Sequence, residues 1–240
     1  DVYKRQVQTR LEAQDIARSG WNYTSSSSFI TLSFWVKSSV AQNFYAYLRT
    51  IDGTAQLYTI ETGSLTADTW TKVIKKIPGN SNLQFDNNAD QGLQLVFAPF
   101  WGTTYTDSGK SLNAWGAYVS TNRTPDFTST WWTTNDATWE ITGIQLEVGP
   151  QATPFEHRSL GEEMSLCQRY FQTYTCTAQE WIYVEGNGAQ YKWWQAYFNP
   201  MRSQPSVDLT GLSTGGNAAG GSGTISSIAL VGVSDGGNTN

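Results

Sequence analysis

Histidine and cysteine are almost missing from this sequence, with one His and two Cys in 240 residues. Two cysteines, Cys167 and Cys176, are too few for a disulfide framework. With no CxxC pair and a single histidine they form no zinc pattern either, and the expectation is two buried free thiols. Charge is also scarce: Asp, Glu, Lys and Arg make up 15% of the chain and the net charge is −5. No basic field therefore exists to attract nucleic acid. No apolar run approaches the ~20 residues of a membrane-spanning helix, so no membrane insertion is expected.

Catalytic patterns are equally thin. A glycosidase needs two carboxylates held apart across a cleft. Glu162 and Glu163 are adjacent and fall in a first helical turn, where capping and the helix dipole account for them. His157 is the only base available for a triad, and it stands between Glu156 and Arg158 ahead of that helix, the place of a linker anchor. No nucleophile-elbow sequence of the G-x-S-x-G type occurs. The expectation is a protein without enzymatic activity and without a cofactor.

What the chain has in quantity is aromatic and hydroxyl side chains. Aromatics are 14% of the residues, eleven of them tryptophan. Such residues between Gly- and Asn-rich turns suit pleated sheets better than helices. Residues 30–37 alternate, with Leu32, Phe34 and Val36 on one face and Ser33, Trp35 and Lys37 on the other. The next segment sets Phe44, Ala46 and Leu48 against Tyr45, Tyr47 and Arg49. Segments 56–61, 70–77, 93–98 and 139–148 also read as strands, although 70–77 fits neither period cleanly. Turn signals such as Asp52-Gly53, Thr62-Gly63, Pro78-Gly79-Asn80 and Asp107-Ser108-Gly109 separate them. Short strands broken at intervals of about ten residues predict an all-β, antiparallel sandwich or jelly roll.

One segment departs from this. Ser159-Leu160-Gly161-Glu162 has capping-box spacing. Leu160, Met164, Cys167, Phe171 and Tyr174 then fall at intervals of three and four. The spacing predicts an amphipathic helix over 160–174 that joins two β regions. Beyond it, 179–198 reads as a hairpin turning at Glu185-Gly186-Asn187-Gly188, with Trp193 and Trp194 on opposite sides of one strand. Further strands are expected at 207–209 and 225–233, around a glycine-rich loop at 211–223. A β region of only about 60 residues buries too little to stand alone, so it is expected to be truncated or covered by partner chains.

Residues 1–6, Asp1-Val2-Tyr3-Lys4-Arg5-Gln6, look like the translation of a transposon end used in preparing sequencing libraries. They are set aside as a non-native leader, with the native protein expected to continue upstream.

Two stretches are long and particular: Ala152-Thr153-Pro154-Phe155-Glu156-His157-Arg158-Ser159 and Leu166-Cys167-Gln168-Arg169-Tyr170-Phe171. With Val7–Asp15, Leu32-Ser33-Phe34-Trp35-Val36-Lys37, Asp68-Thr69-Trp70 and Pro200–Val207, they resemble tail-fibre-like virion proteins of aquatic phages over residues 7–210. The resemblance implies a jelly roll similar to carbohydrate-binding modules at 7–150, a linker with the helix at 151–176, and a distal β region at 177–240. It also implies a virion location and a homotrimer. Related jelly rolls often carry a calcium-ligating aspartate where Thr142-Gly143 stands here, so a structural calcium is not supported.

The candidate sugar-binding residues are Trp35, Tyr45, Tyr47, Arg49, Trp101 and Trp115. Pyranose C–H patches stack on aromatic faces while polar side chains bind the hydroxyls. Alternation is expected to place Trp35, Tyr45, Tyr47 and Arg49 on one sheet face, opposite Phe34, Phe44 and Leu48, either open to a host surface glycan or covered by loops or another copy. Trp101, Trp115, Trp131 and Trp132 lie in polar segments, where they either plug the ends of the sandwich or line a recognition surface. The leading expectation is a phage adsorption protein that binds host glycan. Its alternatives are a ligand-free fibre or decoration protein and the accessory sugar-binding module of a secreted enzyme.

Overall fold

In the computed structural model, residues 3–173 and 199–202 are described, and the chain divides into two units, 1–157 and 158–240. The expected hairpin at 179–198, the strands at 207–209 and 225–233, the loop at 211–223, and Tyr174, Cys176, Trp193 and Trp194 lie outside the described residues.

The first unit is all-β, as the alternation predicts. Its strands are β1 (Lys4–Glu12), β2 (Phe29–Ser38), β3 (Tyr45–Thr50), β4 (Gln56–Glu61), β5 (Thr71–Pro78), β6 (Gln91–Trp101), β7 (Trp115–Ala117) and β8 (Trp139–Val148). Two short helices interrupt them, α1 (Ala13–Ala17) and α2 (Thr130–Thr133). Every strand pair is antiparallel. They form a five-stranded sheet ordered β1-β6-β3-β4-β7 and a three-stranded sheet ordered β5-β2-β8.

The two sheets enclose one core. Ile30, Leu32, Phe34 and Val36 of β2 meet Ala46, Leu48, Tyr58, Ile60, Leu93, Leu95 and Phe97 of the facing sheet. Phe34 packs edge-on against Phe97, with ring centroids 4.9 Å apart. Strand β6 is buried almost throughout because it is covered on both faces. Its Pro99 is tolerated because β1 shifts register between Arg5 and Val7, leaving the proline at an irregularity rather than in a regular ladder.

The weak periodicity of 70–77 also has a structural cause. β5 is an edge strand in which Val73 and Ile77 alone are buried, while Lys72 and Lys76 point outward. Lysines on an edge discourage further strand pairing. Strand β1 begins at Lys4, within the segment set aside as a leader, and pairs Lys4 with Trp101 and Arg5 with Phe100.

A bulge in β8 shapes the outer face of the smaller sheet. Ser33 pairs with Gln145 but Trp35 with Thr142, so Gly143 and Ile144 together oppose Phe34. Gly143 takes φ +58°, a left-handed conformation natural to glycine at such a bulge. A Cβ there would lie 3.3 Å from Trp35 Cδ1. Position 143 is thus an irregularity that suits glycine.

In the second unit, α3 (Leu160–Gln168) begins at the expected capping box. The Ser159 hydroxyl accepts the Glu162 amide, and the Glu162 carboxylate accepts the Ser159 amide at 2.8 Å. These bonds hold the Glu162 carboxyl below the usual carboxylate range. The helix ends at Gln168, short of the expected 174. Cys167 is exposed rather than buried, because no residue of α3 is buried and the cysteine shares its exposure.

Replacing Phe34 with alanine removes the ring that bridges the sheets. It is expected to lower stability by about 3–5 kcal/mol in denaturant unfolding.

Candidate ligand-binding surface

The expected common face of Trp35 with Tyr45, Tyr47 and Arg49 does not form. Alternation within each strand holds, but β2 and β3 belong to different sheets. Trp35 therefore points out of one side of the sandwich, and Tyr45, Tyr47 and Arg49 out of the other. Strand period fixes the face of a side chain but carries no information about which sheet owns the strand.

On the five-stranded side, the segment 102–128 covers the rings. Tyr47, Leu57, Val96, Ala98 and Trp101 form a second buried cluster, with Tyr105, Tyr118 and Phe127 packed on it. Tyr47 is 2% exposed and Trp101 1%. Tyr45 packs edge-on against Phe127 at 4.9 Å. Cations fasten the cover through aromatic faces. Arg49 sits 3.7 Å from the Tyr118 ring centroid and Arg123 5.1 Å from that of Trp101, while Lys4 lies 4.5 Å from Tyr105. Each such contact contributes about 0.5–2 kcal/mol.

The remaining tryptophans largely close the sandwich. Trp115 donates from Nε1 to the Pro78 carbonyl at 2.6 Å, tying β7 to the edge of the other sheet. It also borders a hollow of about 270 Å³ shared with Lys110 and Asn122. Trp131 packs on Phe44 at 6.2 Å and donates to the Thr138 carbonyl. Trp132 stacks on Phe100 at 5.0 Å.

The three-stranded side is different. From β2 it presents Thr31, Ser33, Trp35 and Lys37. The β5 residues opposite them are Lys76, Ile74 and Lys72, and β8 supplies Glu147, Gln145, Thr142 and Glu140. Residues 149–157 run back over one end of this face as a strap. Thr31 Oγ1 donates to the Gly149 carbonyl at 2.7 Å, the Thr153 amide donates to the Glu147 carboxylate, and the Glu156 amide donates to Gln145 Oε1 at 2.9 Å. The Gln145 amide, then the Thr153 amide and hydroxyl, hold the Glu147 carboxyl below its ordinary range. The stretch Ala152–His157 lies in this strap. His157 packs edge-on against Phe155 within it.

The other end of the face is open. Trp35 is 41% exposed and Trp70, just before β5, 40%. Lys37, two residues along β2 from Trp35, pairs with Glu140 at 2.7 Å and lies 5.2 Å from the Trp70 ring centroid. Lys72 is the direct cross-strand neighbour of Trp35. Phe155, also exposed, borders the same patch beside Gly143. Of the six candidate sugar-binding residues, only Trp35 has an exposed ring on this face. Lys72 and Thr142, its cross-strand neighbours, and Trp70 against Lys37 were missed because their placement depends on strand pairing that no sequence period encodes.

Among the described residues, no group of three His, Cys, Asp or Glu side chains comes together as a metal site. No protein-family model matches the chain, and no curated protein or solved structure matches it.

Burial raises the Tyr47 hydroxyl from its ordinary value of 10.0 to about 12, against a smaller opposing pull from Arg123. A tyrosine that ionises later in the folded state than in the unfolded chain contributes its full stability below pH 10 and loses it as pH rises toward 12. The gap corresponds to about 2–3 kcal/mol. Denaturant unfolding followed from pH 9 to 12 is expected to show this loss, and Tyr47→Phe to remove part of its pH dependence.

Proposed function

We propose that the sandwich is a noncovalent glycan-binding module of a phage adsorption protein, with the ligand seated on the open end of the three-stranded sheet. The observation that carries this reading is the exposure of Trp35 and Trp70 on one side, when most other large rings of the unit are packed away. Two broad indole faces set among Lys37, Lys72, Glu140 and Thr142 offer both halves of sugar recognition. The rings stack on C–H patches, and the polar groups bind hydroxyls. An open face suits the side of a polysaccharide chain better than a small enclosed molecule.

The virion setting is supported by the resemblance of residues 152–159 and 166–171 to phage tail-fibre-like proteins. Connections that cross repeatedly between the sheets, as from β1 to β2 and from β2 to β3, are in keeping with a jelly roll. Binding of this kind is weak at each site, about mM to μM, or roughly 4–8 kcal/mol. Presentation on a homotrimer raises avidity without new contacts.

Trp35→Ala and Trp70→Ala are each expected to weaken retention on an immobilised host polysaccharide by at least about tenfold, the scale of a central aromatic anchor. Thermal unfolding should meanwhile shift by less than about 1 kcal/mol, as for surface positions. A large loss of stability with retention preserved would place these rings in the core and end the reading. Tyr47→Ala is the contrast: it is expected to destabilise by about 3–5 kcal/mol, as removal of a buried ring does.

A further inference from the structure

We infer that the saccharide held at Trp35 is acidic, a pyranose chain bearing carboxylate or sulfate groups. The inference rests on the glycan reading of the Trp35 face and adds the charge of its ligand.

The chain as a whole is acidic, with twenty Asp and Glu against fifteen Lys and Arg. Its lysines are unevenly placed. Lys37, Lys72, Lys75 and Lys76 are four of only seven in the sequence, and all stand on β2 and β5 of the three-stranded sheet. The outer face carries Lys37, Lys72 and Lys76, and the carboxylates of that face, Glu140 and Glu147, are both engaged. Glu140 pairs with Lys37, and Glu147 accepts hydrogen bonds from Gln145 and from the Thr153 amide. Lys76 lies 3.9 Å from the Phe29 ring centroid at the strapped end.

Lys72 remains. It is exposed, directly across from Trp35, and takes part in neither of the two ion pairs found among the described residues. Glu147 feels Lys72 electrostatically, but the two form no ion pair. An ammonium group beside a stacking ring is the arrangement that orients an anionic pyranose: the ring takes the apolar face and the lysine the acid group. Range decides which charge the ligand feels. At physiological ionic strength the screening length is about 8 Å, so this face, with Lys37, Lys72 and Lys76 against Glu140 and Glu147, is felt at Trp35 ahead of the net negative charge spread across the rest of the molecule.

The test uses the full chain on an array of polysaccharides printed as matched pairs. Uronates stand beside their methyl esters, and sulfated galactans beside the desulfated polymers. Acidic members are expected to be retained over their neutralised partners, with the preference collapsing between about 50 and 500 mM NaCl. Lys72→Gln should reduce retention of acidic members by about tenfold, the scale of one charge-assisted contact, while Lys72→Arg keeps the preference. Melting of both variants should stay within about 2 °C of the parent, which separates lost binding from lost folding. Retention of neutral and acidic members alike, insensitive to salt, would overturn the acidic assignment and leave the glycan reading standing. Failure to retain any polymer would overturn both.

Discussion

Consecutive side chains of a strand must point to opposite faces, and in this sandwich that constraint governs both stability and surface. Its clearest expression is the pair Phe34 and Trp35 on β2. Phe34 reaches across to Phe97 and holds the sheets together. Trp35, one residue later, has no place in the core and is turned outward. A shift of register by one residue would exchange them, burying lysines and exposing the aliphatic row. The hydrophobic demand of the core therefore fixes which rings are left for the surface.

The two sheets treat their outer faces differently for a reason that can be traced to chain length between strands. The long segment after β6 returns over the five-stranded sheet and supplies Tyr105, Tyr118, Arg123 and Phe127 to cover it. The segment after β8 is shorter and covers only one end of the other sheet, through backbone bonds to Glu147 and Gln145. Coverage on one side and exposure on the other follow from these two excursions. Arginines held over rings, rather than over carboxylates, keep the larger cover in place with little cost in buried ion pairs.

Much of the fold was legible in the sequence because strand alternation is local. The limits of 139–148 and 56–61, the inward sets of β2 and β3, and the capping box at Ser159 all follow from neighbours a few residues apart. Strand β1 was not legible, since residues 4–11 show little burial contrast and draw their order from pairing with β6, far along the chain. The same cause hid the surface. Trp35 stands across from Lys72, and Lys37 over Trp70, only once β2 and β5 have paired, and Tyr47 is inaccessible only because 102–128 folds over it. Cys167 was expected inside because free thiols usually are, yet α3 buries none of its residues.

The edge position of β5 has one further implication. Its outward residues alternate strictly with Val73 and Ile77, so the letters that set the character of the surface are separate from the letters that hold the sandwich shut. Changes at 72, 74 and 76 leave the interior untouched and alter no neighbouring strand on the free side. Substitutions along this single rim can therefore change the chemistry of the surface without disturbing the core, so long as enough charge stays on the edge to keep it from pairing.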